Sequence, residues 1–150
     1  MPRVVRRRRI AAPAGALWSI ISDPYHLPRW WPRTQRVENV SAGDAKGQRW
    51  TQVLETKGGR GIRADFRCVS AASEERYIYE QQVEDGPFAK FLKSARTEIL
   101  LDANKSTTEV TLIIEQDLKG LSRMGAFMLR RATKRILSEA LSGLERVAVD

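Results

Sequence analysis

The side chains in this 150-residue chain best suited to hold or move a proton beside a bound substrate are His26 and the pair Tyr77 and Tyr79. General acid–base chemistry asks for a phenol, imidazole or carboxyl within hydrogen-bond reach of the substrate, so these three are the candidate catalytic residues. They form no recognisable constellation. His26 is the one side chain that titrates near neutrality unperturbed, and in the Asp23–Pro28 segment a lone imidazole serves more often as a surface or capping residue than as a base. Cys68 alternates with apolar residues and reads as a small core side chain. As the only cysteine it forms no intrachain disulfide, and one Cys with one His leaves a zinc site short of ligands unless carboxylates supply them. No metal and no cofactor is expected. Lys57-Gly58-Gly59-Arg60-Gly61 lacks the spacing of a phosphate loop and reads as a hairpin turn, and there is no G-x-S-x-G elbow.

The elements that must position these groups follow from periodicity. Val4, Val5 and Ile10 favour a strand over 3–10, and Pro13 then starts a helix carrying Leu17, Trp18, Ile20 and Ile21. Ser22-Asp23-Pro24 ends it, and the Pro-bounded stretch from Pro24 to Trp31 allows one or two helical turns. From Thr34 onward, runs of β-formers alternate with turn residues, which predicts strands near 34–40, 48–56, 61–69, 76–83, 94–102 and 107–118. Ile62, Ala64, Phe66 and Cys68 share one face of their strand; Arg63, Asp65 and Arg67 share the other. Lys119-Gly120 breaks the pattern, and residues 121–147 have a helical period. Leu121, Met124, Gly125, Met128, Leu129, Ala132, Ile136, Ala140 and Leu144 form its apolar stripe, opposite Arg123, Arg130, Arg131, Lys134 and Glu145. At ~1.5 Å per residue this helix is about 40 Å long, enough to cross a small domain against the apolar face of a sheet.

Several short motifs fall in a set order: Ala12-Pro13, Leu17-Trp18, Asp23-Pro24, Leu27-Pro28, Trp30, Gly86-Pro87-Phe88, Thr107-Thr108-Glu109-Val110 and the terminal helix. In that order they resemble the START/Bet v 1-like (SRPBCC) superfamily, polyketide cyclase/dehydrase branch, over essentially the whole length. The resemblance implies an α+β helix-grip fold. A curved antiparallel seven-stranded sheet, with two short helices after strand 1, grips a long C-terminal helix around an internal cavity. It also implies a hydrophobic or amphipathic ligand such as a lipid, sterol or polyketide, but no single reaction.

Parity places Trp50, Leu54, Phe66, Tyr77, Tyr79, Thr97, Ile99, Leu112 and Ile114 on the inward phase, facing Met124 and Met128 of the helix. Of these, Trp50, Phe66, Tyr79, Ile99, Leu112, Met124 and Met128 are taken as ligand contacts, together with Phe88 and with Trp30 at the presumed mouth. The same residues also read as the filling of a solid core. Counting back from Ile10 puts Arg8 and Arg6 on the inward phase, where they either bind the carboxylate or phosphate of an amphiphile or pair with Glu and reach solvent. Gln81, Gln116 and Glu139 are their possible polar neighbours.

Length and composition fit one domain over 1–150, with 42% hydrophobic residues and no apolar run long enough to cross a bilayer. The Arg-rich start has no apolar segment behind it, so a cytoplasmic address is expected. Lys and Arg number 26 against 18 Asp and Glu, a net charge of +8. Residues 1–36 hold eight Arg and one acid, and residues 121–150 hold six basic and three acidic side chains. The two ends together make a basic face, read either as solvated arginine or as an attraction for nucleic acid or anionic membrane. Three functions therefore stand open: a carrier of a hydrophobic small molecule, a polyketide aromatase/cyclase or dehydratase using the same cavity, and a basic-surface module. Monomer and homodimer both remain open.

Overall fold

The computed structural model describes residues 3–41, 45–56, 58–84, 88–90, 92–120 and 122–149. Gly86 and Pro87 of the turn motif, and Leu121 of the helix stripe, lie outside the described residues. Strand β1 (Arg3–Ile10) leads into α1 (Ala14–Ile21), with Pro13 at its N-cap. A 3₁₀ turn (Pro24–His26), whose Asp23 carboxylate accepts from the Tyr25 N–H, runs on into α2 (Leu27–Trp30). Strands β2 (Thr34–Glu38), β3 (Arg49–Glu55), β4 (Gly61–Ala72), β5 (Arg76–Gln82), β6 (Leu92–Asn104) and β7 (Thr107–Leu118) follow, and α3 (Arg123–Val149) closes the chain.

The seven strands form one antiparallel sheet in the order β1-β7-β6-β5-β4-β3-β2. From β2 to β7 each strand neighbours the next in sequence, as hairpin turns require, while β1 crosses to pair with β7 from Arg3↔Glu115 to Ile10↔Thr108. The register shifts at Thr34/Arg36, Cys68/Ser70 and Leu92/Ser94. Each irregularity sharpens the bend of its strand and helps curl the sheet. The expected helix-grip arrangement of a seven-stranded antiparallel sheet, two short helices after β1 and a long C-terminal helix is the one observed.

Helix α3 packs along one side of the inner face, and α1 adds Trp18 to it. From Thr133 onward α3 buries Thr133, Leu137, Ala140, Leu141 and Leu144 against β1, β7, α1 and α2. Gly143 permits the closest approach: a Cβ there would collide with the Trp30 carbonyl oxygen of α2. Ile10, Leu17, Val110, Leu112, Leu137 and Leu144 are fully enclosed at this junction. Thr108, also enclosed, donates through Oγ1 to the Ala12 carbonyl at 2.8 Å and ties the end of β1 to β7.

The stripe of α3 departs from the sequence expectation. Met124 and Met128, expected to face the sheet, are 71% and 63% exposed. At ~3.6 residues per turn, each i→i+4 step advances about 40° around a helix. The series Met124, Met128, Ala132, Ile136, Ala140, Leu144 therefore drifts about 200° from one end to the other, whereas a straight helix buries one arc. The arc centred on Thr133, Leu137, Ala140 and Leu144 is the buried one, which leaves Met124 and Met128 opposite it.

Candidate ligand-binding site

Cross-strand pairing lines up the inward side chains in rows. Trp50 of β3 pairs with Phe66 of β4, and Phe66 with Gln81 of β5. The next row runs Cys68, Tyr79, Thr97, Ile114; the one after runs Ala71, Tyr77, Ile99, Leu112 and Arg6. Parity thus brings together the aromatic residues that the sequence proposed, and α1 adds Trp18, which it did not.

The result is an aromatic wall. The Trp50 ring lies nearly parallel to Phe66 (centroids 5.8 Å, 17°) and to Tyr77 (6.5 Å, 19°), while Tyr79 meets Trp50 edge-on at 5.3 Å. Trp18 packs edge-on to Tyr77 at 6.0 Å. Such offset and edge-to-face pairs each contribute about 0.5–1.5 kcal/mol beyond their burial.

Polar atoms inside this wall lack partners. The Trp50 indole N–H and Gln52 Oε1 are buried with no hydrogen-bond partner among the described residues, and the Tyr77 hydroxyl faces only the Cys68 sulfur, a weak acceptor. Gln52, on the inward phase between Trp50 and Leu54, donates through Nε2 to Thr34 Oγ1 at 2.8 Å, which holds its amide in place. An orphaned buried donor or acceptor costs about 1–3 kcal/mol. Burial pushes both phenols well above the ordinary tyrosine range, with the neighbouring Cys68 and Tyr79 adding to the shift at Tyr77. Both stay protonated at neutral pH, able to donate a hydrogen bond and unable to act as bases. Burial raises the Cys68 thiol as well, and its sulfur faces the Ser70 carbonyl at 3.5 Å.

The other candidates lie elsewhere. His26 meets the Arg29 guanidinium at Nδ1 (3.0 Å) and the Asp23 carboxylate at Nε2 (3.6 Å), both on its own turn. No described hydrogen bond or ring contact joins it to the aromatic wall. Arg8 is on the inward phase but at the edge of the sheet, where Nη1 donates to Ser142 Oγ (3.0 Å) and lies 3.3 Å from Glu145 Oε1 of α3. The strand keeps its register throughout, and Arg6 in the same row as Leu112 is exposed. Arg8 thus pairs with Glu145 and Arg6 reaches solvent. Glu139 is exposed, while Gln81 and Gln116 are half-buried. Ile99 and Leu112 are core, and Phe88 is half-buried in the turn before β6, its carbonyl accepting from the Leu92 N–H.

Trp30 is buried edge-on to Trp31 at 5.3 Å. Its backbone borders an open cleft of ≈ 290 Å³ between α2, the start of β2 and α3, lined by Arg29, Arg33, Glu55, Glu139 and Arg146 among others. Among the sequence-derived positions, Gln52 and Trp18 were missed. Gln52 had a signal in the Trp50-Gln52-Leu54 alternation; Trp18 had none, because its contact depends on where α1 lands.

A sheet that grips one long helix, with an aromatic inner wall, defines a START-like helix-grip protein. Residues 1–149 match the family described as polyketide cyclase/dehydrase and lipid transport, and the chain belongs to that family. No curated protein matches the sequence. Among solved structures, the ZhuI aromatase/cyclase from Streptomyces sp. R1128 superposes with a TM-score of 0.80 at 18% identity, covering 98% of this chain and 93% of that one. A START superfamily protein from Mycobacterium smegmatis gives 0.78 at 16% identity, covering 97% and 96%. The di-domain aromatase/cyclase BexL from the BE-7585A biosynthetic pathway gives 0.77 at 18% identity, covering 97% of this chain and 46% of that one.

Proposed function

We propose that the protein binds a planar, partly polar hydrophobic molecule, such as an aromatic polyketide, between the inner face of the sheet and α3. The observation that carries this reading is the alignment of Trp50, Phe66 and Tyr77 around buried polar atoms, the Trp50 N–H with no described partner and the Tyr77 hydroxyl with only the Cys68 sulfur beside it. A flat ring system bearing hydroxyl or carbonyl groups would gain stacking area from the rings and supply the missing hydrogen bonds. Ile99 and Leu112 extend the apolar floor along the Tyr77 row. Phe88 and Trp30 are proposed to border the approach to it. The aromatase/cyclase neighbours, and a family description that names polyketide cyclases beside lipid transport, support a polyketide-like ligand.

A second reading, catalysis of cyclisation, draws on the same neighbours. In it the protonated Tyr77 and Tyr79 would donate to a substrate carbonyl and hold a folded chain in register.

The test is titration of the purified protein with a hydroxylated anthraquinone, followed by tryptophan fluorescence and native mass spectrometry. Saturable quenching with a one-to-one adduct, weakened in Trp50→Phe, is expected. Quenching without an adduct, or an affinity indifferent to Trp50, would overturn the site.

A further inference from the structure

We propose that the solvent-facing arc of the first half of α3 docks the protein onto an anionic lipid surface. Three large apolar side chains are exposed there, Met124 at 71%, Phe127 at 62% and Met128 at 63%. On a helical wheel they fall within about 100° of one another, opposite the arc that Thr133, Leu137 and Ala140 bury. The anchored half of α3 thereby holds the other half outward. A hollow of ≈ 240 Å³ on this surface is lined by Phe127, Arg130, Arg131 and Lys134. None of these three cations has an ion pair among the described residues.

Charge selects the occupant. From Leu118 to Ser138 the sequence holds six Lys or Arg and no Asp or Glu. A second copy of the chain would bring like charge against like charge. A nucleic acid would use the cations but leave Met124 and Met128 in water or against phosphates, gaining nothing from their exposure. An anionic bilayer uses both at once: the apolar side chains enter the headgroup and acyl boundary while Lys and Arg meet lipid phosphates. Exposed Met also adapts its shape to an irregular partner.

The experiment is sedimentation of the full chain with phosphatidylcholine vesicles, and with vesicles of equal phosphatidylcholine and phosphatidylglycerol. Binding to the anionic vesicles alone, weakened by salt, is expected. The variant Met124→Ser/Phe127→Ser/Met128→Ser keeps every cation and should lose at least about tenfold in partitioning, since each buried methylene contributes. Arg130→Gln/Arg131→Gln/Lys134→Gln should lose about fivefold per cation, about 1 kcal/mol each. All six positions lie at least partly in solvent, so thermal melts should match the parent and separate loss of docking from loss of fold. Equal binding by the serine variant would overturn the proposal. So would absence of binding to anionic vesicles, tighter binding to RNA than to vesicles, or a dimer that the serine variant dissolves. None of these outcomes depends on whether the anthraquinone binds.

Discussion

Tyr77 is the residue at which packing and binding make opposite demands. Its hydroxyl is buried with only the Cys68 sulfur, a weak acceptor, beside it, so most of the ~1–3 kcal/mol cost of an orphaned donor stands, and phenylalanine would not carry it. Tyr77→Phe is therefore expected to raise stability, by about 2–4 °C in Tm for each kcal/mol recovered in a chain of this size. Anthraquinone affinity should fall by about 2- to 10-fold, the value of one net hydrogen bond. Calorimetry and a fluorescence titration on the same sample check both signs. A residue that only filled the core would move the first and leave the second unchanged. The two raised phenols also set an alkaline limit. In the folded state Tyr77 and Tyr79 stay neutral, while in the unfolded chain they ionise above about pH 10. The unfolded state then binds fewer protons, so this contribution is intact below pH 10 and declines as pH rises past it. The expected slope is about 1.4 kcal/mol per pH unit for each phenol. Urea unfolding above and below pH 10, compared with Tyr77→Phe/Tyr79→Phe, measures it. Parity made the aromatic wall legible in the sequence, because alternation alone assigns Trp50, Phe66, Tyr77 and Tyr79 to one face. It left the partners of Arg8 unread, since Ser142 and Glu145 lie 134 and 137 residues away.

Helix α3 shows where reading by element stops. Its existence and length are written in its period, and all seven strands stand where alternation and turn residues put them. Which arc it buries is not written there, because apolar residues line both the drifting i→i+4 series and the true contact. Burial is decided by α2, whose backbone needs a glycine to come close. Gly143→Ala isolates that contact. Helix propensity alone would stabilise the variant by about 1 kcal/mol, but the added methyl meets the Trp30 carbonyl, and overpacking of this kind costs about 1–3 kcal/mol. Net destabilisation is expected in urea unfolding; a gain in stability would mean that α2 yields freely. The bulge between Cys68 and Ser70 was equally silent in the sequence. It shifts the inward phase from Cys68 to Ala71, so strict alternation holds on either side of it and not across it.

Across the whole molecule, the core is continuous from the aromatic wall to the α3 junction, and Cys68 is buried within it. Its enclosure keeps solvent from it, and its raised pKa keeps it in the unreactive thiol form. Alkylation by iodoacetamide should therefore proceed through opening of the core, slowed at least about a thousandfold relative to the urea-unfolded chain if the domain has ordinary stability. A rate within tenfold of the unfolded value would show that β4 and β5 separate locally.

The pairing of β1 with β7 has a consequence for synthesis. Between Arg3↔Glu115 and Ile10↔Thr108 the partners are 112 and 98 residues apart. At about 5–20 residues per second, the ribosome needs roughly 5–22 s to make the partner strand. For that interval β1 is a strand without a sheet. An apolar segment left waiting so long would be a hazard to every other nascent chain nearby; one carrying Arg3, Arg6, Arg7, Arg8 and Arg9 stays hydrated until β7 arrives to claim it.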